Sequence, residues 1–224
     1  GIPEDVKVII NCGRLDSAWS GGDNWKDPVV TGKITEWVAK GGGFIGIAEP
    51  TATVFSSQYF QLSHILGVDR ETGRTLSRNK YRYTLNEKHF IMDDVRDIPD
   101  FGTEVDNVYA TGGESKVLAD KDGSVRIATK EFENGRGVYF SGFRYNAQNT
   151  RMLYRAILWA AGNEQQIQYW TTDNFNTECA FFVNSRKLVV INNGENAENA
   201  VITSDKGERI EASLEPYAIK ILDV

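Results

Sequence analysis

GGGFIGIAEPT, residues 41–51, is the stretch on which the reading of this chain turns. Its centre, Phe44 to Ala48, has no polar residue alternating with the apolar ones, the pattern of a strand buried on both faces of a sheet. Upstream, VKVIIN (residues 6–11) has the same β-branched, apolar character. Between the two lies a helix signal: Asp27 stands as N-cap, and Pro28 takes the first helical position, where its missing N–H costs nothing. Val30, Ile34, Trp37 and Val38 then fall on one stripe, and Gly41 ends the helix. Strand, helix and strand in this order make a βαβ unit, with a right-handed crossover and parallel strands.

Further along, SSQYFQLSHILG (56–67) predicts a helix capped by Ser56 or Ser57 and stopped by Gly67. RYTL, NVYAT, KVLAD, VRIATKEF and GVYFSGF read as strands, with DKDG and ENGRG as turns between some of them. Asn146 caps a second long helix, whose stripe is Met152, Leu153, Ala156, Ile157 and Ala160 and whose stop is Gly162. After it only short strand-like segments occur: IQYWT, ECAFFV, KLVVI, AVITS, RIEA and YAIKIL. The chain has 224 residues, of which 41% are hydrophobic and 25% charged, so collagen-like, disordered and disulfide-rich classes are excluded. No apolar run approaches the roughly 20 residues of a membrane span, and the start carries no secretory signal. The net charge of −6 argues against a nucleic-acid surface. Residues 164–224 hold 5 Lys+Arg against 10 Asp+Glu, so most of the acidity lies in the last quarter, where the patterning also changes.

Three stretches could carry chemistry. In the stretch 41–51, a buried strand running into a sharp turn and then a helix is the setting of a nucleophile elbow. Gly46-Ile47 resembles the strand of class I glutamine amidotransferase-like domains, where a cysteine follows; here the position holds Ala48, which has no attacking atom. The second stretch is NCGRLDSAWSGGDNW (11–25), which leaves the first strand at the carboxyl edge where open α/β sheets gather ligands. It carries Arg14, Asp16, Trp19, Asp23 and Trp25, a set suited either to stacking and pairing with a sugar or to anchoring another domain. Glu49 and Thr51 end the neighbouring strand and line the same edge. This loop fits neither a dinucleotide fingerprint nor a phosphate-binding P-loop. The third stretch places Arg70, Arg74, Arg78, Lys80 and Arg82 around Tyr81, diluted by Asp69 and Glu71, and reads as a solvated loop or polar interface. Cys12 and Cys179 read as buried free thiols, and His64 and His89 as surface or capping residues. No metal site and no cofactor are expected.

Together, VIINCGRLDSAWSGGDNW, VAKGGGFIGIAEPTA and LSHILGVDRETGRTLSRNKY resemble the C-terminal portion of the 1,3-β-galactosyl-N-acetylhexosamine phosphorylase family (lacto-N-biose or galacto-N-biose phosphorylase), and the resemblance covers essentially the whole chain. It implies an α/β fold: an amidotransferase-like (flavodoxin-like), mostly parallel sheet domain over residues 1–163, then a small antiparallel β-sandwich domain over 164–224. It implies, as partner, an N-terminal (β/α)₈ catalytic barrel, through which the protein would meet disaccharide and phosphate. The family cleaves galactosyl-β-1,3-N-acetylhexosamine with phosphate to α-galactose 1-phosphate, with inversion. No catalytic residue of the family maps onto this chain, so the expectation is a non-catalytic region serving packing, assembly and the rim of the sugar site. A cytoplasmic protein without nucleic-acid or membrane partners is expected, with homo-oligomerisation open. The alternatives are a free-standing, catalytically dead amidotransferase-like binding or assembly module, and an active hydrolase with an unrecognised site.

Overall fold

The computed structural model describes the chain apart from residues 16, 18, 55–57, 74–82, 87, 94, 168, 169, 175 and 205 and the side chain of Ala147. It divides into two compact units, Gly1–Gln165 and Gln166–Val224. The division falls two residues beyond the boundary expected from patterning.

In the first unit, β1 (Val8–Gly13) leads to α1 (Pro28–Ala39) and β2 (Gly43–Ala48). The Asp27 side chain accepts a hydrogen bond from the Val29 N–H at 2.8 Å, with Pro28 opening the helix, as the capping rules require. Next come α2 (Ser63–Leu66), β3 (Val68–Arg70) and β4 (Val108–Ala110). The unit closes with β5 (Lys116–Lys121), β6 (Ser124–Phe132), β7 (Gly135–Phe140) and α3 (Ala147–Ala160). Asn146 caps α3 by accepting from the Asn149 N–H at 2.9 Å.

The main sheet has the order β1-β2-β7-β6-β5. β1 pairs parallel with β2 from Val8↔Gly43 to Gly13↔Ala48, and β2 pairs parallel with β7. β6 is antiparallel to both β7 and β5. The sheet is therefore mixed, not mostly parallel. The physical reason lies in the connections. Asp122-Gly123 and Glu133-Asn134 are two-residue links with positive φ at Asp122, Gly123 and Glu133, and so short a link can join only antiparallel neighbours. β2 alternates between two cores. Phe44 packs with Val38, Phe60 and Tyr139 on one face, while Ile45 packs with Val138, Met152 and Trp159 on the other. Truncating a side chain buried this completely costs about 2–5 kcal/mol.

Three expectations are corrected. The helix expected over 56–67 shrinks to α2, because the Asp69 carboxylate accepts from the N–H groups of Tyr59 and Phe60 and the Thr53 and Gln61 N–H groups pair with Tyr59 and Thr51 carbonyls. These bonds pair residues 51–53 antiparallel with 59–61, around the Ala52–Phe60 bridge; Ser56 and Ser57 lie outside the described residues. Of RYTL, Arg82 lies outside them, and Leu85 contributes an isolated bridge to Val117 instead of a strand. Cys12 is exposed, not buried, because β1 is an edge strand, and Cys179 is half-buried.

The second unit contains β8 (Trp170–Thr172), β9 (Thr177–Phe182), β10 (Lys187–Asn192), β11 (Glu198–Ser204), β12 (Arg209–Leu214) and β13 (Ile219–Asp223). They form two antiparallel sheets of three strands, ordered β13-β10-β9 and β12-β11-β8. Leu188 and Val190 from the first and Ala200, Ile202, Ala212 and Leu214 from the second meet in one core with Trp170. Here alternation is strict: the β10 burial follows every second residue. No helix among the described residues is long and apolar enough to cross a membrane.

Candidate functional site

The parallel strands β1, β2 and β7 end together, and their carboxyl edge carries most of the residues that the sequence singles out. β2 ends in a sharp turn. Ala48 has φ +68°, the left-handed conformation of an elbow, and the β-branched Thr51 follows at φ +54°. Such conformations are costly for non-glycine residues and persist only where the surroundings fix them. The surroundings here do so. The Tyr139 hydroxyl donates to the Ala48 carbonyl at 3.2 Å, and the Asn11 Oδ1 accepts from the Thr51 N–H at 2.8 Å. The Thr51 hydroxyl accepts from the Leu62 N–H at 3.2 Å. Burial pushes the Tyr139 hydroxyl's pKa up, so it stays a donor at any physiological pH.

Glu49, 7% exposed, is the hub. Its Oε1 accepts from the Tyr59 hydroxyl at 2.9 Å and is ion-paired with Arg70, while its Oε2 accepts from the Leu15 N–H at 3.0 Å. Arg70 also donates Nε–H to the Asp106 carbonyl at 3.2 Å and lies 5.3 Å over the Tyr59 ring. Burial, and then the bond to Glu49, push the Tyr59 hydroxyl up to about 12. Both Glu49 oxygens are thus engaged by groups of this unit. The carboxylate fastens the loop after β1, as do the Glu49 N–H donating to the Gly13 carbonyl and Asn11 Nδ2–H donating to the Ser20 carbonyl.

That loop separates its two tryptophans. The Trp25 Nε1–H donates to the Ser20 carbonyl, and the indole is buried in the unit's own core. Trp19 projects outward and is 80% exposed. Arg14 is exposed, Asp23 is exposed and ion-paired with Lys26 at 2.7 Å, and Asp16 lies outside the described residues. The structure thus joins Glu49 and Thr51 to the loop's base, leaves Trp19 and Arg14 on its surface, and withdraws Trp25 into the core. Of the basic run, Arg70 belongs to the hub, whereas Arg74, Arg78, Lys80, Tyr81 and Arg82 lie outside the described residues.

Several participants escaped the sequence reading. Asn11 interrupts the apolar run of β1, a signal that could have marked it. Tyr59 and Arg70 are brought to Glu49 by the pairing of 51–53 with 59–61 and by β3, which local patterning does not show. Tyr145, at 85%, and Ile98, at 93%, are even more exposed than Trp19. Tyr145 sits in the β7–α3 connection, and the segment bearing Ile98 is tied there: Gln148 Oε1 accepts from the N–H groups of Arg96 and Asp97, and Asn149 Nδ2–H donates to the Asp100 carbonyl. The most exposed large apolar side chains described in this unit therefore gather along one edge, on segments tethered by hydrogen bonds from below. His89, away from this edge, caps a short 3₁₀ turn by accepting from the Ile91 N–H at 3.2 Å, and its ring meets Trp159 edge-on.

The class so defined is an α/β unit with an elbow that bears alanine, followed in the chain by an all-β unit. The chain belongs to the lacto-N-biose phosphorylase family: the model of that family's central domain matches residues 1–165, and that of its C-terminal domain residues 170–222. A 1,3-β-galactosyl-N-acetylhexosamine phosphorylase of Lachnoclostridium phytofermentans is 38% identical over 97% of this chain and 30% of its own length. The enzyme of that name from Bifidobacterium longum is 33% identical over 92% of this chain and 32% of its own length. A D-galactosyl-β-1→4-L-rhamnose phosphorylase of L. phytofermentans is 34% identical over 91% and 27%. The chain thus spans about a third of the length of these relatives. Among solved structures, a β-galactosidase from Rahnella sp. R3 matches at 13% identity and a TM-score of 0.48, over 96% of this chain and 32% of that one.

Proposed function

We propose that this chain is the non-catalytic region of a glycoside phosphorylase that uses phosphate to cleave galactosyl-β-1,3-N-acetylhexosamine, giving α-galactose 1-phosphate with inversion. The supporting observation is the elbow. Ala48 offers no nucleophile where an amidotransferase-like domain would hold its cysteine, and the adjacent Glu49 is fully engaged in fastening a loop. In this reading the first unit is an amidotransferase-like (flavodoxin-like) domain that keeps the elbow's backbone and has lost its chemistry. Its carboxyl edge turns Trp19, Tyr145 and Ile98 toward a (β/α)₈ barrel elsewhere in the polypeptide, which supplies the acid that protonates the leaving oxygen while phosphate attacks the anomeric carbon. The names of the relatives share a galactosyl group and differ in the sugar it is joined to, so the galactosyl half of the substrate is the better supported half. The protein works in the cytoplasm, where phosphate and sugar phosphates are at hand.

The test compares this chain with the polypeptide encoded by the complete gene. Each is incubated with phosphate and either galactosyl-β-1,3-N-acetylglucosamine or its N-acetylgalactosamine counterpart. Galactose 1-phosphate is expected from the complete polypeptide alone, and ammonia from glutamine is expected from neither. Product from the 224-residue chain would overturn the non-catalytic assignment. Product from neither would favour the second reading, a binding or assembly module, to which the emptied elbow is equally suited.

A further inference from the structure

The two sheets of the second unit differ on the sides turned away from their common core. In the β12-β11-β8 sheet the outward positions are Asn199, Val201 and Thr203 of β11 and Arg209, Glu211 and Ser213 of β12. This is the mixed polar surface of a sheet that meets water. In the β13-β10-β9 sheet the outward positions are Ile219 and Ile221, then Val189 and Ile191, then Ala180 and Phe182. Ile219, Ile221 and Phe182 are each more than half exposed. The register sets Ile219 beside Ile191 and Ile221 beside Val189, so the aliphatic side chains form one continuous patch, bordered by the Lys187–Asp223 ion pair and Glu178.

A β-sheet face of this composition is unfavourable in water, and it does nothing for the unit's own core, which Leu188, Val190 and Leu222 already serve from the other side. β13 is moreover an edge strand, so its apolar residues stand next to unsatisfied backbone groups, the arrangement that proteins normally cover or charge. We infer that the β9-β10-β13 face is a docking surface for the part of the same polypeptide that the phosphorylase relatives carry outside the matched stretch, an inference that rests on the phosphorylase reading above.

Size decides between this occupant and a second copy of the chain. Three strands about 4.8 Å apart and five residues long at roughly 3.3 Å each make a face of only a few hundred Å². A stable dimer between separate molecules buries about 800 Å² on each partner. A domain on the same polypeptide meets the patch at millimolar effective concentration, and a small apolar contact then suffices. The relatives have chain length enough for such a domain, since this chain accounts for only 30% and 32% of the length of two of them.

Hydroxyl-radical footprinting of Phe182, Ile219 and Ile221 tests the inference, with Val201 on the polar sheet as internal reference. In the 224-residue chain all three are expected to oxidise rapidly at every concentration. In the polypeptide encoded by the complete gene they should oxidise several-fold more slowly, with Val201 unchanged. Ile221→Lys should lower the Tm of the complete polypeptide and leave that of the 224-residue chain unaltered. Equal rates in the two proteins overturn the inference. Protection that grows with the concentration of the 224-residue chain also overturns it, in favour of a second copy. So does protection already present in the dilute 224-residue chain, which would mean that the cover lies within these residues. The galactose 1-phosphate assay separates the two claims: turnover with the three residues still reactive sinks the docking face alone, whereas protection without turnover sinks the phosphorylase reading and leaves a covered face.

Discussion

The two units bury their strands in opposite ways. In the first, β2 is closed on both faces, with successive residues Phe44 and Ile45 feeding separate cores, and the polar residues are pushed to the carboxyl end of the strand. In the second, every strand of the core pair has one wet and one dry face, and Leu188 and Val190 point to the single core between the sheets. The difference determines where each unit can present a surface. A doubly covered sheet has only its edges and ends to offer, so Trp19, Tyr145 and Ile98 stand on loops. A one-sided sheet can offer a whole face, and β9-β10-β13 does.

The comparison can be broken most forcefully at Gly137 of β7. A methyl group there would run into the Ile65 carbonyl, because α2 lies directly on the strand. Gly137→Ala should therefore cost about 3 kcal/mol, the range of core overpacking. Ala180→Val, on the outward face of β9, should stay within about 0.5 kcal/mol. Chemical denaturation of both variants gives the answer. Similar losses at the two sites would mean that the second unit is as closed as the first.

Next in size is the hub beneath the carboxyl edge. Arg70→Met removes the cation that faces buried Glu49 and should destabilise the first unit by about 2–3 kcal/mol, less than for a fully dry pair because Arg70 is a quarter exposed. Adding Glu49→Gln should return part of that loss, since no uncompensated charge then remains. A double mutant no better than Arg70→Met alone would show that the hub acts through packing.

A smaller effect depends on pH. Burial, and then the positive charges of Lys116 and Arg136, press the His89 imidazole down to about 4 from its ordinary 6.5. The folded state thus disfavours protonation, and the unfolded chain binds more protons between those values. The contribution of His89 to stability is complete above pH 6.5 and falls as the pH drops from there towards 4. The Ile91 N–H bond to Nδ1 is lost in the same step, because a protonated ring has no acceptor. His89→Asn keeps a capping oxygen without the titration and should flatten this part of the stability profile by about 1 kcal/mol, discounted for partial solvent screening. An unchanged acid limb in the variant would assign it to carboxylates instead.

How far the sequence showed all this varies with the range of the interactions. Asp27-Pro28, Asn146 and the apolar stripes of α1 and α3 are local, and the structure places caps and buried or partly buried stripes where those residues stand. The six short segments after Gln166 were legible for the same reason, since alternation needs no knowledge of partners. Strand order was not: β7 slots in beside β2, and β6 and β5 follow by hairpins, which depends on pairing across about 90 residues of sequence. The hub was hidden in the same way, since Glu49, Tyr59 and Arg70 are spaced without period and meet where 59–61 pair with 51–53. Trp25 looked like Trp19, two aromatics in one glycine-rich loop. Only the Ser20 carbonyl that takes its N–H and the pocket beside Gly21 separate them.

The smallest expected effect on this chain is the most informative about its role. Trp19 makes no contribution to the core, and its loop is secured by Glu49, Asn11 and Ser20 independently of the indole. Trp19→Ala should therefore change the stability of the 224-residue chain by no more than about 0.5 kcal/mol, as should Tyr145→Ala on the far side of the elbow. In the polypeptide encoded by the complete gene the outcome divides. If the edge borders the sugar site, Trp19→Ala raises KM for the disaccharide or lowers kcat while Tm holds, because a stacked pyranose loses its platform. If the edge only joins domains, Tm falls and the kinetics hold. An exposed indole on a tethered loop is a poor choice for either purpose unless something covers it. A Trp19→Ala variant of the complete polypeptide with unaltered Tm, KM and kcat would therefore remove the carboxyl edge from the functional reading and leave the sheet face of the second unit as the apolar surface that still calls for a partner.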